Sequence, residues 1–149
     1  MRWRSKLEAS LTDDVVAAIV RHAREAAPLE CCGLLLGRGD EIVEAVPARN
    51  IAGTPATRFL IDPADHINGR RAARERGLDV VGFYHSHPHS AAEPSATDLA
   101  EFSYPDHLYA IVSLLAEPPE VALFRFQGGA FRLVSATRRR REGRGGFAG

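Results

Sequence analysis

The chain has no apolar run near the eighteen residues that a membrane-spanning helix requires. Its first residues, Met-Arg-Trp-Arg-Ser-Lys, are charged and are not followed by an apolar stretch, which argues against a secretory signal. The 149 residues, of which 45% are hydrophobic, contain no internal repeat and no inter-domain linker. The composition therefore predicts a single domain with one core, located in the cytoplasm and without a membrane partner.

Cysteine is scarce, since the chain has two and they are adjacent. Neighbouring cysteines cannot form an ordinary disulfide with unstrained geometry, which fits a reducing compartment. Cys31 and Cys32 lie at the start of an apolar stretch. We therefore interpret them as small core residues rather than as redox groups or metal ligands.

The formal net charge is zero, but positive charge is concentrated near the C-terminus. Residues 138–144 carry five arginines and one glutamate, and glycine-rich residues follow them. This composition predicts a basic, disordered tail over residues 138–149, outside a folded domain of residues 1–137. Binding of nucleic acid or of an acidic partner is the less favoured alternative for such a run.

The most informative feature is a histidine pair followed by a carboxylate. His85 and His87 are one residue apart, and Asp98 follows after ten intervening residues. Residues 79–84 are apolar and β-branched, which predicts a buried strand that ends at the histidines. Alternate side chains of a strand share a face, so both imidazoles can point at one ion while Ser86 points away. Two histidines and a carboxylate with an open fourth position are typical of catalytic zinc, which indicates hydrolysis.

Two plainer interpretations apply to the same residues. A His-x-His pair can be ordinary polar surface, and Ser95-Ala-Thr-Asp98 matches a capping box at the start of a helix. The upstream strand favours the metal site instead, since Pro88 ends the pairing and a seven-residue loop returns the chain to a helix whose first turn carries Asp98. Capping and catalysis are compatible, because the Ser95 hydroxyl can cap the helix and also contact a bound substrate.

These motifs together resemble the signature of the JAMM (JAB1/MPN/Mov34) metalloproteases, whose metal-binding core is H-x-H-x(10)-D. The family also has a glutamate ahead of a strand with small residues, and Pro28-Leu-Glu30-Cys-Cys-Gly33 resembles that element. The resemblance covers roughly residues 5–136. It implies one zinc ion per chain, with three protein ligands: His85, His87 and Asp98.

The resemblance also implies two catalytic residues, Glu30 as general base and acid and Ser95 as a group that holds the reaction intermediate. Glu30 lies just before the apolar residues 32–36, where partial burial would raise the pKa of a carboxyl group towards working pH. Without the histidine motif, the same glutamate would be interpreted as a solvated loop residue.

The order of helix and strand signals matches the JAMM core, an α/β (α+β) fold with a curved mixed β-sheet flanked by helices. It is similar in layout to cytidine deaminases, but deaminase chemistry is excluded because it requires H-x-E and P-C-x-x-C. Helices are predicted at residues 13–26, capped by Thr12, and from the Asp62-Pro63 pair to Arg76. Strands are predicted at residues 7–9, 32–36, 42–47, 59–61, 79–84, 108–115, 121–126 and 130–134.

The resemblance implies a zinc-dependent (iso)peptidase that cleaves after the C-terminal tail of a ubiquitin-like or sulfur-carrier protein. The chain has little room for added recognition loops and so resembles the compact prokaryotic branch of the family. An extended tail could bind by strand addition to a sheet edge. Two alternatives stay open: a non-catalytic MPN-type scaffold module, and a DNA-repair-associated JAB relative suggested by Glu93-Pro94-Ser95.

Overall fold

The computed structural model describes residues 7–96, 98 and 104–140. Over these residues the chain forms two helices and seven strands, in the order β1 (Glu8–Thr12), α1 (Asp13–Ala26), β2 (Cys32–Arg38), β3 (Glu41–Ala48), α2 (Pro63–Glu75), β4 (Asp79–His87), β5 (Leu108–Ser113), β6 (Glu120–Gln127) and β7 (Ala130–Arg139). Among the described residues, neither helix has the length and apolar character needed to cross a membrane.

Helix α1 has the predicted bounds. The Thr12 hydroxyl accepts a hydrogen bond from the Val15 amide at 3.2 Å, which satisfies one of the unpaired N–H groups at the helix start. The buried residues Val15, Ile19 and Ala23 recur every four positions and so form one apolar face. This face packs α1 against the sheet.

Helix α2 begins as predicted and ends one residue earlier. The Asp62 carboxylate accepts a hydrogen bond from the Ala64 amide at 2.9 Å. Pro63 occupies the first helical position, where its missing N–H costs nothing. The helix ends at Glu75, ahead of Gly77, which has a φ of 74°.

The sheet is mixed, as predicted, but it closes on itself. Its strand order is β1-β3-β2-β4-β5-β6-β7, and β7 pairs with β1 to complete a barrel. Strand β1 runs parallel to both β3 and β7, and β4 runs parallel to β5, while the other pairs are antiparallel. Closure depends on the length of β7, because its first half pairs with β6 and its second half with β1.

The extended β7 corrects the predicted start of the basic tail. Arg138 and Arg139 are the last residues of β7, and they form ion pairs of 2.9 Å with Asp13 and 3.0 Å with Glu41. Exposed ion pairs of this kind contribute little to stability on their own. The position of these arginines is therefore fixed mainly by the main-chain pairing of β7 with β1. Arg140 follows the strand without regular structure, and residues 141–149 of the predicted tail lie outside the described residues.

Two further strand predictions were wrong in extent. Residues 59–61 form no strand, because Ile61 makes one isolated bridge with Asn50 and the segment is otherwise a loop. Strand β5 ends at Ser113 rather than at residue 115. There the Ser113 hydroxyl accepts a hydrogen bond from the Leu115 amide at 3.2 Å, which turns the chain away from the sheet.

The core lies on both faces of the central strands, which is why β2, β4 and β5 are buried along most of their length. One apolar cluster contains the buried face of α1 together with Leu35 and Tyr84. The other contains Ala73 of α2 together with Leu34 and Phe83. Alternation along β4 therefore places His85 and His87 on the same face as Phe83.

The interpretation of the cysteines as core residues is confirmed. Both are buried and unbridged, with Cys31 in the cluster of α1 and Cys32 in the cluster of α2. Burial raises the pKa of Cys31 to about 11 and that of Cys32 to about 12. Both groups therefore stay as neutral thiols at working pH.

Gly82→Ala is expected to destabilise the fold, because β4 and β5 approach each other closely at this residue. A Cβ atom at Gly82 would lie 2.1 Å from the Leu108 carbonyl oxygen. Overpacking of this kind costs about 1–3 kcal/mol, which corresponds to a loss in Tm of about 3–10 °C. A thermal unfolding experiment measures this loss in Tm.

Gly53→Ala is the matched control, because a Cβ atom there has no other heavy atom within 4 Å. It should change the unfolding free energy by less than about 0.5 kcal/mol. Equal melting temperatures for the Gly82 and Gly53 variants would contradict the close approach of β4 and β5.

Candidate metal centre and cleft

Three buried side chains converge at the end of β4. The Nε2 atom of His85 lies 3.1 Å from Nε2 of His87 and 3.2 Å from Oδ2 of Asp98. Nε2 of His87 lies 3.3 Å from the same carboxylate oxygen. The three atoms thus form a nearly equilateral triangle of possible metal ligands, as the spacing of these residues predicts.

The dimensions of the triangle fit a tetrahedral ion. Ligand atoms placed about 2.0–2.1 Å from a tetrahedral zinc ion lie about 3.3 Å from each other. Two imidazole nitrogens and one carboxylate oxygen are also a donor set that zinc binds. The site supplies three such donors and leaves the fourth tetrahedral position to a water molecule or a substrate.

Groups around the triangle orient the two imidazoles. Nδ1 of His87 lies 2.7 Å from the carbonyl oxygen of Ala91, an acceptor, so this nitrogen carries a proton and Nε2 is the ring nitrogen that faces the triangle. The ring of His85 stacks on Phe59 with 4.2 Å between ring centroids and 20° between planes. Phe59 therefore belongs to the site, although its sequence context gave only an apolar signal.

Asp98 is fixed by the capping box that the sequence predicts. The Ser95 amide donates to Oδ2 of Asp98 at 2.9 Å, and the Asp98 amide donates to the Ser95 hydroxyl at 3.0 Å. Ala96 and Asp98 are helical, while residues 97 and 99–103 lie outside the described part of the chain. The same carboxylate oxygen thus caps a helix start and faces both imidazoles, so the capping box is confirmed and is compatible with a metal site.

The charges of the triangle suit a cation. Burial lowers the pKa of His85, which keeps its imidazole neutral and able to bind a metal. Burial alone would raise the pKa of Asp98, but hydrogen bonds with His85 and His87 hold it well below its usual range. The carboxylate is therefore ionised at working pH.

Ser86 connects the histidine strand to the segment that carries Glu30. It points away from the triangle, as predicted, and its hydroxyl accepts a hydrogen bond from the Cys31 amide at 2.8 Å. The Ser86 amide donates to the Cys31 carbonyl at 3.1 Å. Glu30, one residue earlier, is thereby held next to the end of β4.

Glu30 is buried, with 8% of its surface exposed. Burial raises its pKa to about 7, His87 opposes this rise, and the negative charge of Asp98 adds to it. Oε1 of Glu30 is buried and has no hydrogen-bond partner among the described residues. A carboxyl group in this state can both accept and release a proton near neutral pH.

A cleft of about 230 Å³ opens at Glu30 and at His87, one member of the triangle. Its lining includes Glu30, Thr57, His87, His89 and Ser95. His89 lies at the rim of the cleft and outside the ligand triangle, as predicted. Since the Ser95 hydroxyl accepts a bond from Asp98, its own proton can be donated into the cleft.

The remaining histidines lie elsewhere and make ordinary polar contacts. Nδ1 of His22 lies 2.7 Å from the Tyr84 hydroxyl. The side chain of Arg70 donates to His66 at 2.9 Å, and Nδ1 of His107 lies 3.0 Å from the Pro105 carbonyl oxygen. None of these three joins the triangle.

The barrel and its buried His-His-Asp group place the chain among JAB1/MPN-type domains. A JAB1/MPN domain protein from Archaeoglobus fulgidus superposes with a TM-score of 0.58 at 21% identity, covering 87% of this chain and 98% of that one. A solution structure from Desulfitobacterium hafniense superposes with a TM-score of 0.81 at 29% identity, covering 91% of this chain and 95% of that one. The family of prokaryotic homologs of the JAB domain matches residues 12–127, and the chain belongs to this family.

Similar proteins of this kind have been named as peptidases. A desampylase of Haloferax volcanii is 41% identical over 110 residues, which are 70% of this chain and 79% of that protein. A CysO-cysteine peptidase of Mycobacterium tuberculosis is 35% identical over 102 residues, which are 67% of this chain and 69% of that protein. A probable TtuB-protein conjugate cleaving protease of Thermus thermophilus is 36% identical over 80 residues, which are 54% of this chain and 53% of that protein.

The purified protein is expected to hold about one zinc ion per chain. His87→Ala should abolish zinc binding, because it leaves the ion with two protein ligands instead of three. His89→Ala is the matched control, since this histidine lines the same cleft but is not in the triangle. Elemental analysis after dialysis measures the zinc content. Equal zinc in the His87 variant and the wild type, or loss of zinc from the His89 variant, would contradict the assigned ligands.

Proposed function

We propose that this protein is a zinc-dependent peptidase of the cytoplasm that hydrolyses an amide or isopeptide bond at the C-terminal tail of a ubiquitin-like or sulfur-carrier protein. One observation carries the proposal, namely that buried Glu30 and His87, one member of the ligand triangle, line the same cleft. The names of the relatives from Mycobacterium tuberculosis and Thermus thermophilus support the substrate class, because both specify cleavage of a protein conjugate or of a cysteine adduct.

His85, His87 and Asp98 would hold the zinc ion. Zinc bound there would polarise the substrate carbonyl and lower the pKa of water from about 15.7 to about 7. The protein contributes the geometry, since the Ala91 carbonyl, Phe59 and the capping box keep the three donors in place. Little reorganisation is then needed on metal binding.

Glu30 would take a proton from the attacking water and deliver it to the leaving amine. Its pKa of about 7 suits both steps, because a carboxyl group with a pKa near working pH can accept a proton and also release it. Its buried Oε1 atom has no competing partner in the described part of the chain. Desolvation therefore supplies the reactivity that a surface glutamate lacks.

Ser95 would donate a hydrogen bond to the oxygen that becomes negative as the carbonyl is attacked. Its main-chain and side-chain contacts with Asp98 fix its position relative to the ligand triangle. A preorganised donor of this kind contributes about 3 kcal/mol to the stability of a transition state.

The barrel changes how the substrate tail can bind. Every described strand has a neighbour on both sides, but β1 pairs with only two residues of β3, Glu41 and Ile42, so the edge of β3 open to strand addition is limited to residues 43–48. We propose instead that the tail lies extended in the cleft, between the wall of residues 56–57 and the wall of residues 88–90. Small side chains next to the scissile bond would let the substrate backbone approach the site.

Glu30→Gln is expected to retain about one zinc per chain and to lose about 10²- to 10⁴-fold in turnover. Glutamine keeps the shape of glutamate but cannot accept the proton. Hydrolysis of a carrier fusion, followed by mass spectrometry, measures the loss. A scaffold module would show no turnover in the wild type either.

Glu93→Gln is the matched control, because Glu93 is exposed and lies outside the ligand triangle. It should turn over at the wild-type rate. A Glu30 variant as active as this control would remove Glu30 from the mechanism, and one without zinc would make Glu30 a ligand.

In a carrier whose tail ends in Gly-Gly, replacing these two glycines by valine is expected to abolish cleavage, since branched side chains would prevent close approach of the backbone to the site. A carrier with valine three residues further upstream controls for general effects on binding. Cleavage of the glycine and valine carriers at similar rates would show that the cleft does not select for small residues.

A further inference from the structure

The side chain of Asn50 uses its full hydrogen-bonding capacity. Its Nδ2 atom donates to the carbonyl oxygens of Glu30 and Arg58, each at 3.0 Å. Its Oδ1 atom accepts from the amides of Ala52 and Leu60, each at 3.0 Å. One amide group thus organises the loop of residues 51–60 and joins it to the residue that carries the candidate base.

The main chain of Glu30 is held by this loop through both of its polar groups. Its carbonyl accepts from Asn50, and its amide donates to the Pro55 carbonyl at 2.8 Å. The position of the Glu30 backbone therefore depends on the shape of the loop. Ser86 fixes the next residue, Cys31, independently from the other side.

The same loop forms one wall of the cleft. Ala56 and Thr57 line the cleft together with Glu30. A change in the loop would move this wall and the Glu30 carboxyl group together. The polar contacts that hold the ligand triangle come instead from Ala91 and Ser95, outside this loop. The loop contacts the triangle only through the Phe59 ring, which stacks on His85.

We propose that Asn50 is a positioning residue for the proposed general base, acting by holding the main chain of Glu30 against the loop of residues 51–60. This inference rests on the proposed function, because positioning has a catalytic effect only if Glu30 transfers the proton. An asparagine is required here because the site needs two donors and two acceptors on one short side chain.

Asn50→Asp tests the proposal with little change in shape. The carboxylate keeps the acceptor for Ala52 and Leu60, but it loses both donors and faces two carbonyl oxygens. A displacement of about 1 Å can lower a rate about 10²-fold, so we expect about that loss in kcat with zinc content unchanged. Asn68→Asp, at an exposed position on α2, is the matched control and should keep the wild-type rate.

A double-mutant cycle separates positioning from a general structural role. If Asn50 acts through Glu30, then Asn50→Asp should cost no more than about twofold in the Glu30→Gln background. The proposal would be overturned if the fold-losses in kcat of the two single variants multiply in the double variant. It would also be overturned if Asn50→Asp has the wild-type rate or loses zinc. If Asn50→Asp lowers the melting temperature strongly, Asn50→Ala replaces it in the same double-mutant cycle, with the same expected results.

Amide hydrogen exchange tests the contact without relying on activity. In Asn50→Asp, protection of the Glu30 amide should fall about tenfold, while that of the Cys31 amide, held by Ser86, should not change. Equal protection of Glu30 in variant and wild type would overturn the proposal. A fully active Glu30→Gln would defeat the proposed function itself, and the exchange result would then still decide whether Asn50 holds Glu30.

Discussion

The ladder between β2 and β4 is the interaction on which the site depends. It sets Cys32 opposite His85, and the two hydrogen bonds between Ser86 and Cys31 extend the pairing by one residue. Glu30 precedes this last pair, so the ladder brings the carboxyl group to the ligand triangle. A shift of the register by one residue would turn the histidines to the opposite face of the sheet.

Burial gives these groups their chemistry and also makes them costly to the fold. Glu30, His85, His87 and Asp98 are buried polar residues at one end of β4. His85, His87 and Asp98 share short polar contacts, whereas Oε1 of Glu30, like Nδ1 of His85, is left without a hydrogen-bond partner among the described residues. An unpaired buried oxygen opposes folding. Active sites commonly combine reactivity with such a loss of stability.

Much of the fold and of the candidate site follows from local signals. Thr12 and the Asp62-Pro63 pair fix the starts of both helices, and the Ser95–Asp98 capping box has the predicted hydrogen bonds. The convergence of His85, His87 and Asp98 was predicted as well, because alternation on a strand and a short loop restrict where the three can lie. Of the wrong predictions, those at residues 59–61 and at the start of the tail concern segments whose state depends on distant partners.

The sequence by itself therefore determined the helix starts and the convergence of His85, His87 and Asp98, because caps, strand alternation and motif spacing act over few residues. The candidate base, Glu30, was predicted from the family resemblance. Tertiary structure decided the rest. It closed the barrel through β1 and β7, stacked Phe59 on His85, and used Asn50 to join the loop of residues 51–60 to Glu30. These contacts join residues that are far apart in the chain, and no local pattern of residue types records which distant partner each one meets.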